Sequence, residues 1–580
     1  MEFNFEILRN EIIGIDYKFE TPYGIRLSTY ADFTASGKAL KFIEKYLLEI
    51  QQCYANTHTE DDMTGEVMTK VLHESLEKLK IHLNVNGNCY VIPSGTGATG
   101  AIETLAKIIG IYISPASKII IDNIIKGFIK SDKGLEDITN ESEESLKHVP
   151  VVFIGPYEHH SNILIWKEGI AEVVEIGLTN DGTIDLSELK KKLAHKNYKD
   201  RLKIGSFSAA SNVTGIITPV YEIAKILHDN NALACFDFAA CAPYIEINMN
   251  KSDKEYFDAA YIAPHKFIGG TGTSGILVIN KKIYDNTIPP TVSGGGTVSY
   301  VSPYSYDFIH NVELREMAGT PGIIQIIKSA LIIELKNYIG IENIKSKEKY
   351  YTSKIFKSLK SISNIEILGP TEEIERLPIF SIKFIHKDKY LHPRFAAKLI
   401  NDLFGIQTRA GCACAAPYGH RLLDISEESS KIFRYFIADG TSSIRPGWLR
   451  FNVHYIMNED EVDFLCDAIE FIAKYGFLFL SDYVLDIKTG NWTHKRFNKK
   501  HSIVENFGIN ECIKYIQNSR SDCSNEVEIL NNQEYQSYLI EAKKYAERSE
   551  QNLSLELKSL DDEKFKGQGW FYFVNFENEA

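Results

Sequence analysis

The sequence lacks the features of several protein classes. No apolar run approaches membrane-spanning length, and the start, Met1-Glu-Phe-Asn-Phe-Glu, has no basic segment followed by an apolar one. Acidic residues outnumber basic ones, and the formal net charge of -13 argues against a polyanion such as nucleic acid as the main ligand. We therefore expect a cytoplasmic protein that binds a small molecule and has neither nucleic acid nor a membrane as a partner.

Cysteine is also scarce. The nine cysteines in a chain of 580 residues form no disulfide-scaffold pattern. We find no internal repeat and no low-complexity linker. The hydrophobic fraction of 44% indicates a globular chain that is long enough for two or three domains with substantial cores.

Strand-like and helical segments alternate between residues 89 and 266. Such βα repeats predict a mostly parallel sheet with helices on both faces. Ligands of these sheets collect at the carboxyl ends of the strands. Four polar candidates follow apolar strand-like segments, and we expect them to meet at one edge of the sheet: His159, Asn212, Asp237 and Lys266.

Lys266 lies between an apolar segment and the glycine-rich turn that begins at Gly269. A lysine in such a pocket loses hydration, which favours the neutral amine that condenses with an aldehyde. Taken alone, a lysine beside glycines is more often a surface residue at the end of a strand. Taken together, an aldehyde-binding lysine, an acid for a protonated pyridine nitrogen, an imidazole and an amide match the chemistry of pyridoxal phosphate.

The segment from Ser94 to Gly100 predicts a turn of small residues between a strand and a helix, which suits a phosphate group. It also matches G-x-G-x-x-G, and Ile119-Ile-Ile-Asp122 predicts a strand that ends in an acid about twenty residues later. A dinucleotide site for NAD is therefore an open alternative at this point.

Residues Tyr30 to about Phe471 resemble the class V aminotransferase family of pyridoxal phosphate enzymes (fold type I), and within it cysteine desulfurases and selenocysteine lyases. The resemblance implies a large α/β domain with a mostly parallel, seven-stranded type of sheet and a smaller α+β domain. It also implies roles for individual residues: Lys266 as the Schiff-base lysine with His265 beside it, Asp237 at the pyridine nitrogen, His159 on the ring, Asn212 near the phenolic oxygen, and Gly97, Ala98 and Thr99 around the phosphate. This interpretation outweighs NAD, which would leave the lysine, the aspartate and the histidine unexplained.

Three further positions bear on the expected cofactor site: two depart from the family pattern and one matches it. Ala240 stands where the family often has a glutamine, and Ala263 stands where it often has a serine that reaches the phosphate. Thr297, in Gly294-Gly-Gly-Thr297, resembles the segment that reaches the phosphate of the neighbouring subunit. The resemblance therefore implies a homodimer with shared sites.

The loop from Arg409 to Cys414 resembles the desulfurase motif, in which the nucleophilic cysteine follows Arg-x-Gly by three positions. That position is Cys414, and Cys412 is an extra thiol. Two inert thiols or a Cys-x-Cys redox or metal pair are alternatives, but no second close cysteine cluster supports zinc, so we expect no metal.

The substrate carboxylate requires a cation, and a planar guanidinium is the natural clamp for it. Counting back from Glu461-Val-Asp463, the family's carboxylate arginine falls on Arg450, with Arg445 as the alternative. Arg409 and Asn56 complete the substrate-binding candidates.

The sequence thus predicts an enzyme with an N-terminal arm (1–29), a large pyridoxal phosphate domain (30–322), a small domain (323–475) and an extension of unknown role (476–580). The expected reaction converts L-cysteine to L-alanine and leaves a persulfide on Cys414, with a sulfur-acceptor protein as a candidate partner. An aminotransferase, an epimerase or another lyase acting on a different amino acid is the alternative, followed by a non-catalytic scaffold.

Overall fold

The structure is a computed structural model that describes residues 4–57, 59, 61–129, 148–371, 374–412, 414–497, 502–505, 507–509, 532–551, 556–559 and 569–577. The predicted α/β fold is confirmed. In this part of the chain, no helix is both long enough and apolar enough to cross a membrane.

A seven-stranded sheet forms the centre of the large unit. Five strands in the order Ala259–Ile262, Ala232–Asp237, Lys203–Ser208, Val151–Ile154 and Glu172–Glu175 are parallel. The other two, Ile276–Asn280 and then Cys89–Pro93, continue the sheet beyond Ala259–Ile262 through antiparallel pairs. The inner strands are buried along almost their whole length, as a sheet covered on both faces requires.

Helices cover both faces of this sheet. Val151 and Phe153 belong to one buried cluster, whereas Val152 and Ile154 of the same strand belong to another, because successive side chains point to opposite faces. The helices of this unit are Lys41–Ile50, Met63–His82, Ala98–Ile108, Pro115–Ile129, Ser161–Lys167, Leu186–Leu193, Val220–Asp229, Val312–Arg315 and Ile323–Ile339. A hairpin of Val298–Val301 and Tyr306–Phe308 is also present.

The predicted strand at Ile119 to Asp122 is wrong, because these residues lie within the helix Pro115–Ile129. A run of three isoleucines is too short for its period to distinguish a strand from a helix. The helix begins at a proline, a residue that suits the first helical position. The strand-end acid that a dinucleotide site needs is therefore absent from this segment.

A second sheet forms the smaller unit. Its strands follow the order Arg409–Gly411, Trp448–Asn452, Ile379–His386, Lys389–Leu391, Phe571–Phe573 and Lys558–Ser559, and Ile365–Ile367 pairs with Ile379–His386. The helices around it are Ile341–Ser361, Pro393–Phe404, Ala416–Leu422, Glu427–Ala438 and Glu459–Tyr475.

Segments near both ends of the chain pack against this smaller unit, although Leu8 of the first helix is buried in the cluster of the large unit. Near the N-terminus are the helix Phe5–Asn10, the hairpin of Lys18–Thr21 and Gly24–Leu27, and the strand Thr29–Tyr30, which pairs with Ile406–Gln407. Near the C-terminus are the strands Tyr483–Asp486, Trp492–His494 and Phe576–Glu577 and the helices Ser502–Glu505 and Asn532–Gln551. Tyr23, Tyr538 and Phe571 share one buried cluster with residues of the small unit. The four domain limits stay predictions.

Candidate active site

A cavity of about 290 Å³ lies at the carboxyl ends of the parallel strands. Most of the candidate residues line it: Gly97, Ala98, Thr99, His159, Asn212, Asp237, His265, Lys266, Arg409, Cys414 and Arg450. The expected meeting of the four strand-end residues therefore occurs. Ala240 and Ala263, the two positions that depart from the family pattern, also face this cavity.

Lys266 and Asp237 are two ionisable groups of the cavity with pKa values shifted by burial. Lys266 ends a short turn of 3-10 helix that follows the strand Ala259–Ile262, and Asp237 is the last residue of its own strand. Burial lowers the pKa of the Lys266 amine to about 8, although the Asp237 carboxylate opposes this effect. Burial also raises the pKa of Asp237, against the hydrogen bond that Ala239 N donates to its Oδ1 at 2.9 Å.

The His159 ring is held in one orientation and is neutral. Its Nδ1 accepts a hydrogen bond from Ser161 N at 3.2 Å, so the proton of the neutral ring is on Nε2. Burial, helped by the charge of Lys266, lowers the pKa of His159 to about 4. The ring can therefore face an aromatic ligand without the desolvation cost of a charge.

The small-residue turn that is predicted to bind phosphate lies at the cavity. Gly97 precedes the helix Ala98–Ile108, and no side chain caps the N-terminal amides of this helix. A Cβ atom at Gly275 would lie 2.3 Å from Gly97 O, so the turn is packed tightly against the neighbouring segment. Thr96 and the first residues of the helix, Ala98 and Thr99, line the cavity, and the positive end of a helix suits a phosphate group.

Two arginines from neighbouring strands form the opposite side of the cavity. Arg409 and Arg450 lie directly across from each other in antiparallel strands. Arg450 donates from Nη2 to Asp32 Oδ1 at 2.7 Å and from Nη1 to Asn212 O at 3.1 Å. Arg409 Nε donates to the other carboxylate oxygen of Asp32 at 3.0 Å. Arg445, the alternative carboxylate ligand, is exposed and does not line the cavity.

Cys414 and Cys412 differ in exposure. Cys414 is exposed, lines the cavity and has a left-handed backbone conformation with φ 57°. Cys412 is half-buried and donates from Sγ to Pro446 O at 3.0 Å, and burial raises the pKa of its thiol. His160 holds the loop, because its backbone N donates to Cys414 O at 2.9 Å and its Nε2 accepts from Ala416 N at 3.1 Å.

Two predicted site residues do not line the cavity. Thr297 is buried, and its hydroxyl donates to Gly294 O at 2.7 Å within its own segment. Asn56 is exposed, and its amide lies 3.4 Å from Thr320 Oγ1. Their roles stay predictions, and that of Thr297 depends on a partner subunit.

Sequence reasoning also missed several residues that contribute to the site. Thr34, Thr96, Ser161 and Ser208 line the cavity, and Asp32 binds both arginines. Ser208 could have been found, since it ends the strand Lys203–Ser208. Asp32 could not, because its partner Arg450 is 418 residues away in the sequence.

The family model for class V aminotransferases matches residues 133–465, which is more than half of the chain. The chain belongs to the class V aminotransferase family. Enzymes of this family use pyridoxal phosphate, so the predicted family, enzyme class and cofactor are confirmed.

Relatives of this class V enzyme carry the name "probable cysteine desulfurase". The one from Streptomyces coelicolor is 28% identical over 334 residues, which cover 57% of this chain and 71% of the relative. The one from Halalkalibacterium halodurans is 30% identical over 270 residues, which cover 46% of this chain and 62% of the relative.

Solved structures share the fold of this class V enzyme. A cysteine desulfurase from Thermococcus onnurineus NA1 has a TM-score of 0.61 at 22% identity, covering 81% of this chain and 98% of the other. A cysteine desulfurase from Escherichia coli has a TM-score of 0.59 at 16% identity, with the same coverage of both chains.

Proposed function

We propose that the protein is a cysteine desulfurase that converts L-cysteine to L-alanine and leaves the sulfur as a persulfide on Cys414. The observation that carries this proposal is that an exposed thiol, Cys414, lines the same cavity as Lys266 and Arg450. An aminotransferase needs the lysine and the arginine but has no use for a thiol at this place. The names of the relatives support the same activity.

The residues of the cavity suit pyridoxal phosphate. The helix end at Gly97 to Thr99 would hold the phosphate, Asp237 the ring nitrogen, and Lys266 the aldehyde carbon. His159 would lie against the ring and Asn212 near its phenolic oxygen. When bound, the cofactor supplies a sink for the electrons of the substrate Cα.

Each proposed step uses an atom of this chain. Arg450 binds the substrate carboxylate, and the neutral amine of Lys266 Nζ takes the proton from Cα. The Cys414 thiolate attacks the substrate sulfur, so that an S–S bond forms while the Cβ–S bond breaks. The electron pair of the broken bond stays on Cβ, which takes up a proton, and the proton held by Lys266 Nζ returns to Cα to give alanine. One cysteine and one enzyme thiol thus become one alanine and one enzyme persulfide.

Three further features belong to this proposal. A sulfur-acceptor protein would remove the sulfur from Cys414, which its exposure supports. A homodimer would bring Thr297 of one subunit to the cavity of the other. A cytoplasmic location is supported by the cysteines, because all seven that the structure describes are free thiols.

The test is to incubate the cofactor-loaded protein with L-cysteine and a reductant, and to measure alanine and sulfide. We expect both products from the wild type, and their loss in Cys414→Ala and Lys266→Ala. Cys412→Ala should retain both, because Cys412 is turned toward Pro446. Lys336→Met is the matched control for Lys266, since Lys336 is another buried lysine and does not line the cavity.

Two results would contradict the proposal. No alanine from a protein that takes up the cofactor would exclude desulfuration, and a requirement for a keto-acid acceptor would then indicate an aminotransferase. Alanine production that persists in Cys414→Ala would show that the sulfur leaves by another route. Lack of turnover across a panel of amino acids would favour a non-catalytic scaffold.

A further inference from the structure

Asp32 is a carboxylate that binds both arginines of the cavity. Its Oδ1 accepts from Arg450 Nη2 at 2.7 Å and its Oδ2 accepts from Arg409 Nε at 3.0 Å. The side chain of Arg450 is only 4% exposed and that of Asp32 12%, so both are largely shielded from solvent. Arg409, at 45%, reaches from this pair toward the open side. We call Asp32, Arg409 and Arg450 the ion triad.

The segment that carries Asp32 is fixed to the strand of Arg450 at two further points. Asn452 N donates to Ala31 O at 2.9 Å, and Thr34 N donates to Asn452 Oδ1 at 3.0 Å. The bonded residues Ala31 and Thr34 lie on either side of Asp32 in the sequence. The carboxylate therefore has a fixed position relative to the guanidinium of Arg450, and it holds that group in one orientation.

The ion triad also sets the charge that a substrate meets. Two guanidinium groups and one carboxylate leave a single net positive charge. The histidines of the cavity add none near neutral pH, because burial lowers the pKa of both His159 and His265 to about 4. Lys266 and Asp237 are assigned to the cofactor. One positive charge balances one carboxylate, so a second carboxylate on the substrate would find no further uncompensated cation in the ion triad.

We infer that Asp32 is a positioning and specificity residue, which orients Arg450 and limits the cavity to amino acids that carry a single carboxylate. This inference rests on the proposed function only in taking an amino acid as the substrate.

The experiment measures equilibrium binding of L-alanine and of L-aspartate to the cofactor-loaded protein by calorimetry, so that no turnover is needed. The wild type should bind L-alanine at least about tenfold more tightly than L-aspartate. Three variants form a series of charge in the ion triad: Arg409→Gln leaves no net charge, Asp32→Glu keeps one positive charge, and Asp32→Asn leaves two.

We expect the preference for L-alanine over L-aspartate to grow in Arg409→Gln and to fall at least about tenfold in Asp32→Asn. Asp32→Glu should retain most of the wild-type preference, which a purely structural role would not require. Glu172→Gln is the matched control. Glu172 Oε2 lies 2.6 Å from Nη1 of the buried Arg201, and neither residue lines the cavity. The preference of this variant for L-alanine over L-aspartate should equal that of the wild type.

An unchanged preference in Asp32→Asn, within about twofold, would overturn the inference. If Asp32→Asn does not fold, Arg409→Gln and Asp32→Glu decide the question, because the preference should grow in Arg409→Gln and stay near that of the wild type in Asp32→Glu. Equal preferences in these two variants would overturn the inference. The inference and the proposed function fail separately. A protein that makes no alanine from cysteine can still show the charge-dependent preference, and an active desulfurase can lack it.

Discussion

The two walls of the cavity are built in different ways. The first wall consists of His159, Asp237 and Lys266, which follow strands of one parallel sheet and have pKa values shifted by burial. The second wall consists of the ion triad and Cys414, which come from the smaller sheet, its adjoining loop and the segment after Thr29–Tyr30. Its charges are paired, and Cys414 is exposed.

This difference indicates a division of labour. Desolvation brings an amine and a carboxylate toward protonation states that water would not favour, so the first wall suits proton transfer. Arginines held by a carboxylate offer cations in fixed positions and Cys414 is exposed, so the second wall suits recognition of the substrate and delivery of the product sulfur. Changes in the first wall should therefore affect kcat, and changes in the ion triad should affect selectivity.

After the loss of activity expected of Lys266→Ala and Cys414→Ala, the largest effect on the reaction is expected from Asp237→Asn. The amide cannot stabilise a positive charge on the cofactor ring as the buried carboxylate does, so kcat for alanine formation should fall by about 10³-fold. Steady-state kinetics of the cofactor-loaded protein measure it. Asp402→Asn is the control, because Asp402 is also buried but accepts a hydrogen bond from Tyr483 outside the cavity. A drop of less than about tenfold in Asp237→Asn would remove the distinction between the two walls.

A smaller effect concerns the pH dependence of cofactor loading. The neutral form of the Lys266 amine is the reactive one, and burial lowers its pKa to about 8, so this form is already half populated near pH 8. Between about pH 8 and pH 9.5, the loading rate of the cofactor-free protein should rise only about twofold, whereas an ordinary lysine would give about thirtyfold. Stopped-flow absorbance after mixing with pyridoxal phosphate measures the rate, and Lys266→Arg is the blank. A thirtyfold rise would mean that the first wall does not desolvate the lysine.

The sequence indicated the two walls by different means: local pattern located the first wall, whereas Arg409, Arg450 and Cys414 of the second wall were named through the family resemblance and Asp32 was missed. Each residue of the first wall follows a buried strand, and parallel strands bring their carboxyl ends to one edge, so local pattern was enough. Asp32 was missed because its role depends on a pairing of the strands Thr29–Tyr30 and Ile406–Gln407 that no local pattern indicates. The prediction of a strand at Ile119 was wrong for a different reason. The local apolar pattern there is compatible with a strand and with a helix, and the structure has a helix.

The C-terminal extension could not be interpreted from sequence either. Its strand Phe571–Phe573 is parallel to Lys389–Leu391, which lies about 180 residues earlier. Its aromatic residues are explained by burial: Phe571 is fully buried and its ring centroid lies 4.6 Å from that of His392. The extension thus completes the core of the unit that carries the second wall.

The smallest effect on the reaction is accordingly expected from Phe571→Ala, which should nevertheless cost much stability. Removing the ring leaves a cavity in the core, and the free energy of unfolding should fall by about 3–5 kcal/mol. Since Phe571 does not line the active-site cavity, kcat of the protein that remains folded should change less than about twofold. Denaturant unfolding and activity at low temperature measure the two quantities.

Phe507→Ala is the control, because Phe507 is 89% exposed and its loss should change stability by less than about 0.5 kcal/mol. Equal stability of the two variants would mean that the extension does not stabilise the unit that carries the second wall. A large loss of kcat in Phe571→Ala would mean that the extension supports the geometry of the ion triad directly.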